Sequence, residues 1–171
     1  MTRITQRRLL LIRHAKALED EGSGDHARPL NPRGRSDAAM LGGWLLKENL
    51  MPQVIMCSTA QRTRETLSLL GENIPTILRD KLYLASSNDM LAQLHNADDE
   101  IKNLGILAHN PGLHGLLAML VGDYANEADV DRVIMKFPTS ACAVIDFEAT
   151  SWRDIKPQSG HLAMLRWSVD S

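Results

Sequence analysis

Cysteine is scarce in this chain. Only Cys57 and Cys142 occur in 171 residues, far apart and without C-x-x-C spacing, which argues against a disulfide-stapled secreted scaffold and suits a reducing, cytoplasmic setting. An excess of basic charge is missing too. With 19 lysines and arginines against 21 acidic residues, the formal net charge is -2, so nucleic acid is not an expected partner. Long hydrophobic runs are absent: the stretch Leu9–Ile12 stops at Arg13, too short for a signal-peptide core or a membrane span. No membrane partner is expected. Nor do repeats, low-complexity tracts or a shift of composition divide the chain. With 44% hydrophobic residues, residues 1–171 are expected to fold as one domain around its own core.

What is present is an alternation of short aliphatic runs with stretches of helical period. Leu9–Ile12, Val54–Cys57 and Leu104–Ala108 are continuous apolar runs, as in strands buried on both faces. Thr76–Arg79 is a weaker extended piece, and Ala143–Phe147 and Leu162–Trp167 read as closing strands around a polar turn at Pro157–Gly160. Helices are predicted over Gly34–Glu48, Ala60–Leu70 (stopped by Gly71), Asn88–Asn96 (capped by Ser86 or Ser87) and Pro111–Val121. Asp123–Lys136 fits one more short helix, and Glu19–Pro32 reads as a loop. This order predicts an α/β fold, a three-layer α/β/α sandwich around a mostly parallel sheet with an antiparallel edge.

In such sheets ligands collect at the carboxyl ends of the strands. Arg13 and His14 follow the first aliphatic run, Ser58 and then Arg62 follow the second, and His109 follows the third. If these ends converge, two guanidiniums offer fixed fans of donors to phosphate oxygens. A neutral histidine is then a nucleophile for a phosphoryl group, and neighbouring cations both lower its pKa and stabilise the charge being transferred. His109 in its charged form would donate to the phosphoryl group. Such chemistry rests on positioning and electrostatics, so no metal or other cofactor is expected.

These residues resemble the motifs of the histidine phosphatase superfamily, also called phosphoglycerate-mutase-like, and within it the short SixA-like phosphohistidine phosphatases. Leu11-Ile12-Arg13-His14-Ala15 matches the R-H-G signature with alanine for glycine, and Leu30-Asn31-Pro32-Arg33-Gly34 is similar to the L-T-x-x-G segment. Ser58-Thr59-Ala60-Gln61-Arg62-Thr63-Arg64-Glu65-Thr66 is similar to S-P-x-x-R-A-x-Q-T, and Leu107-Ala108-His109 to the late V-x-H motif. The resemblance implies His14 as the phosphorylated nucleophile, Arg13 and Arg62 as phosphate clamps, and His109 as the partner histidine. Asn110 and Lys16 are added as substrate-binding candidates, Lys16 standing where an acid is common in the family.

One departure bears on the substrate. Larger members carry a proton-donating carboxylate between the second arginine and the second histidine, and the matching stretch here, Leu82-Tyr83-Leu84-Ala85, has none. An alkoxide leaving group needs that proton, whereas a phosphorylated imidazole can be protonated before it departs. Protein phosphohistidine is therefore the expected substrate and a small phosphomonoester the alternative, with Asp80 and Asp89 as candidate acids; a phosphate-binding module without catalysis is the rival of another class. The oligomeric state is not specified by the sequence.

Several other features read as structural. Arg64 lies about 200° around the helix from Arg62 and belongs on a solvated face. Only four residues, not five, stand between Cys57 and Arg62 in a loop without glycine, so a cysteine-phosphatase cradle does not close. His109 and His114 lack the spacing of a helical metal pair. His26, His95 and His161 read as lone surface residues, Asp98-Asp99-Glu100 as a solvated turn, Met40, Met119 and Met164 as core filler, and Gly42-Gly43 as close packing of a helix against the sheet.

Overall fold

The computed structural model describes residues 6–168; of the domain expected over residues 1–171, residues 1–5 and 169–171 lie outside the described residues. Seven strands form one sheet: β1 (Arg7–Arg13), β2 (Val54–Ser58), β3 (Thr76–Arg79), β4 (Asn103–Ala108), β5 (Val121–Tyr124), β6 (Cys142–Phe147) and β7 (Gly160–Arg166). Five helices connect them: α1 (Pro32–Lys47), α2 (Gln61–Leu70), α3 (Ser87–His95), α4 (Gly112–Leu120) and α5 (Ala128–Met135).

The aliphatic run of β1 shows why the sheet is central. Leu9 and Leu11 point into one core, with Met90 and Leu94 of α3 and Leu113 and Leu117 of α4, while Leu10 and Ile12 point into the other, with Leu41 and Leu45 of α1 and Leu70 of α2. Alternate side chains of a strand face opposite sides, so a strand without polar residues must be covered on both. The predicted α/β/α sandwich is what forms.

Spatial order is β3-β2-β4-β1-β6-β7-β5. Strands β2, β3 and β4 run parallel to β1, β6 runs against both β1 and β7, and β5 is parallel to β7. The one opposed strand thus lies inside the sheet, and the antiparallel edge expected from the sequence is replaced by an antiparallel interior strand. Val121, expected to end a helix, begins β5, a four-residue strand that pairs with β7 across a bulge. Helix α1 starts two residues earlier than predicted because the Asn31 side chain accepts from the Gly34 N–H at 2.7 Å and Pro32 takes the first turn. Ser86 is the cap of α3, in a reciprocal box with Asp89.

Two structural readings are corrected and one is extended. Asp99 is an exposed turn residue, as expected, but it also anchors a buried cation: the almost fully buried Arg7 donates to its carbonyl at 2.6 Å and its Oδ1 at 3.1 Å, and Trp152 N donates to the same Oδ1 at 2.9 Å. Met40 and Met164 are 48% and 40% exposed, so they do not fill the core. The two neighbouring glycines differ from each other. A Cβ on Gly42 would stand 2.2 Å from the Leu70 carbonyl oxygen, against helix α2 rather than the sheet, whereas one on Gly43 meets nothing within 4 Å. Gly43→Ala is therefore expected to raise stability by about 1 kcal/mol, and Gly42→Ala to lower it by about 1–3 kcal/mol despite the same propensity gain. Chemical denaturation of the two variants checks the contrast.

Candidate active site

Strands β2, β4 and β1 are neighbours, and their carboxyl ends fall level, with Cys57 opposite Leu107 and Ala108 opposite Arg13. Arg13 is the last strand residue, and Ser58, His109 and His14 therefore stand in a row. His109 Nε2 lies 2.8 Å from Ser58 Oγ, and the rings of His109 and His14 are 5.1 Å apart. The first turn of α2 brings Arg62 to the same place, 4% exposed, while Arg64 faces solvent. All the sequence-predicted site residues, Arg13, His14, Lys16, Arg62, His109 and Asn110, line one cleft of about 470 Å³. Asp80 and Asp89 do not line it, and the Asp89 carboxylate is held by Ser86.

The local structure fixes His14 tightly. Its N–H donates to the Ala108 carbonyl at 3.3 Å, and its carbonyl accepts from Ser140 N at 3.1 Å. The ring nitrogen Nδ1 is 2.8 Å from the Ala15 carbonyl. A carbonyl only accepts, so Nδ1 carries the proton in the neutral ring and Nε2 keeps its lone pair. Burial, opposed by the Ala15 bond and assisted by His109, Arg62 and Arg13, pushes the pKa of His14 down to about 3. The nucleophile required above is neutral at any physiological pH.

Arg13 donates through Nη1 to the Phe137 carbonyl at 3.0 Å, and Asn110 Nδ2 donates to the same oxygen at 2.7 Å. The pKa of His109 falls to about 4, through burial first and the Arg62 charge next. His109 is thus neutral in the free protein, not the charged donor expected from the sequence. A bound phosphoryl dianion supplies the counter-charge that would let it take up a proton.

Sequence reasoning missed the residue that organises the outer wall. Asp25, in a short turn of the loop before α1, accepts from Arg62 Nη1 at its carbonyl (2.7 Å) and from Arg62 Nη2 at Oδ2 (3.0 Å). Tyr83 O–H donates to Oδ2 at 2.7 Å and Arg28 Nη1 to Oδ1 at 2.9 Å. These bonds, those from Tyr83 and Arg28 foremost, hold the Asp25 carboxyl far below the usual carboxylate range. His26 is exposed but not alone: its ring stands edge-on to Tyr83 at 4.7 Å, and Nε2 lies 3.1 Å from Thr59 Oγ1. An Asp-x-x-Arg pair was visible in the sequence; that it would reach across 37 residues to Arg62 was not.

Cys57 is fully buried, and burial pushes its thiol up to about 12, so it provides no thiolate. His114 Nε2 donates to the Val133 carbonyl at 2.6 Å. Among the described residues no group of three or more His, Cys, Asp or Glu is placed to hold a metal ion, and no helix is long and apolar enough to cross a membrane.

Two depressed histidines carry a cost in acid. Below about pH 6.5 the unfolded chain protonates both, while the folded chain refuses those protons until about 4 at His109 and about 3 at His14. Stability is therefore expected to fall as pH drops through that window. Urea unfolding should show a smaller loss in the His14→Gln/His109→Gln double variant.

The family profile of the histidine phosphatase superfamily (branch 1) matches residues 9–83. An uncharacterized protein of Mycobacterium tuberculosis is 35% identical over 147 residues, covering 85% of this chain and 92% of that one. Among solved structures, a protein assigned by name as phosphohistidine phosphatase SixA from Nakamurella multipartitia superposes with a TM-score of 0.83 at 27% identity, over 95% of this chain and 96% of that one. Its namesake from Agrobacterium tumefaciens gives 0.78 at 26%, over 95% and 98%. The strand ends that carry Arg13, His14 and His109, with Arg62 brought to them by α2, thus sit in a fold and a sequence lineage that agree: this chain belongs to the histidine phosphatase superfamily, is SixA-like within it, and is a phosphatase of that metal-independent family.

Proposed function

We propose that the protein removes phosphoryl groups from phosphohistidine on proteins in the cytoplasm. His14 Nε2 attacks phosphorus while Arg13 and Arg62 hold the phosphoryl oxygens, with Asn110 and Lys16 at the edge of the same cleft. The N–P bond to the substrate breaks and a phosphorylated His14 remains, which water then hydrolyses. His109, hydrogen-bonded to Ser58 Oγ, protonates as the dianion binds and donates to it.

The observation that carries the substrate class is the state of the acids. Of the two carboxylates lining the cleft, Asp25 is bonded to three side chains and held ionised, and Glu19 stands exposed at the rim. An ionised Asp25 has no proton for an alkoxide. A phosphorylated imidazole needs none from the enzyme. The cleft is also open, which admits a side chain on a folded protein. A side-by-side comparison of kcat/KM for a phosphohistidine peptide, a phosphoserine peptide and a sugar phosphate tests this. The first is expected to lead by about 10²-fold or more, the size of a general-acid contribution. Preference for a sugar phosphate would favour the small phosphomonoesterase alternative, and no hydrolysis of any of them would favour a phosphate-binding module.

A further inference from the structure

Asp25 does more than fix Arg62. An ionised carboxylate offers about four lone-pair directions, and three side-chain donors use Oδ2 twice and Oδ1 once. One direction on Oδ1 remains, on a side chain that is 45% exposed in the cleft wall. His14 lies at the buried floor. In-line displacement sends the leaving group away from it, toward the mouth that Asp25 borders.

We propose that Asp25 is a specificity-determining residue: its carboxylate accepts a hydrogen bond from the distal ring N–H of a bound phosphohistidine, keeps that ring protonated, and so selects phosphoramidates over phosphate esters. This rests on the phosphohistidine reading above. As the His14 Nε2 lone pair forms the new N–P bond, the old bond breaks and its electron pair returns to the substrate ring. A ring that kept its distal proton departs as neutral imidazole; a ring that lost it must depart as imidazolate. Asp25 transfers no proton in this step.

The charges around the leaving ring make such an anion necessary. From the loop come Lys16 and Arg28, from β1 Arg13, and from α2 Arg62, all cationic and all lining the cleft; the opposing charges there are Asp25 and Glu19. Tyr83 and His109 border the same space, and His26 stands behind Tyr83. Without Asp25 the cations would drive the ring proton off. With it, the field at the leaving group is balanced while the phosphoryl group still meets its clamps.

The test compares wild-type and Asp25→Asn protein on a phosphohistidine peptide and on p-nitrophenyl phosphate, whose leaving group departs without a proton, from about pH 5.5 to about pH 9. Asparagine keeps an oxygen for Arg62 and Tyr83 but no charge. Removing the charge is expected to lower the ring pKa by about one unit, costing about tenfold on the peptide relative to the aryl phosphate at the alkaline end and less at the acid end. Asp25→Glu should recover part of the alkaline limb, and unchanged thermal unfolding excludes a folding defect. Equal losses on both substrates at every pH would assign Asp25 to holding Arg62 alone and overturn the proposal. A wild-type protein that hydrolyses the aryl phosphate but not the peptide overturns the substrate reading itself.

Discussion

His14→Ala protein is expected to lose about 10⁴-fold or more in kcat, the order reached when a covalent nucleophile is removed. No neighbouring group can replace it. The Cys57 thiol is buried with its pKa pushed up to about 12, and His109 Nε2 is engaged with Ser58 Oγ. The floor of the cleft would then hold phosphate without attacking it, because Arg13 and Arg62 have their own anchors at Phe137 and Asp25. Phosphate affinity should therefore change far less than turnover. Wild-type protein quenched during turnover should carry a phosphoryl label that is labile in acid and stable in alkali, and the variant should carry none. Retention of that label in His14→Ala protein would remove His14 as the nucleophile.

The second large effect separates two arginines that lie two positions apart. Arg62→Ala is expected to lower kcat/KM by about 10²–10³-fold, comparable to losing a preorganised donor to the transition state. Arg62→Lys should recover little. A point charge cannot donate to the Asp25 carbonyl and Oδ2 together and still present donors to the phosphoryl group. Arg64→Ala should stay near wild type, since Arg64 is exposed and lines a neighbouring depression rather than the cleft. Steady-state kinetics on an activated aryl phosphate measures all three. A loss at Arg64 equal to that at Arg62 would show that Arg64 also serves the cleft.

Local chemistry explains what could be read from the chain in advance. A strand covered on both faces must be apolar throughout, so Leu9–Ile12 and Leu104–Ala108 announced themselves, and with them the position of the residues just beyond their ends. The row formed by Ser58, His109 and His14 is a consequence of strand order, which the motifs implied. Val121–Tyr124 carried no such mark: four residues with a glycine become a strand only because β7 offers them a free edge. Asp25 and Asp99 were opaque for a related reason. Each looks like a solvated loop acid until a distant arginine, Arg62 or Arg7, folds against it. Reversal of β6 inside the sheet was equally hidden, because an apolar strand reads the same in both directions.

That reversal gives the cleft two kinds of backbone. Where strands finish and lead toward helices, the main chain brings side chains such as His14 and His109 forward. Where β6 begins, the chain arrives from the opposite direction and presents carbonyls: Phe137 O to Arg13 and Asn110, and Ala141 O to the Arg13 N–H at 3.0 Å. Arg13 is thereby gripped from behind by acceptors belonging to a segment that follows it by more than a hundred residues. The alignment of that guanidinium becomes a property of the finished sheet. Partly folded chains, in which β6 has yet to dock against β1, would lack a functional phosphate clamp even with their motifs intact.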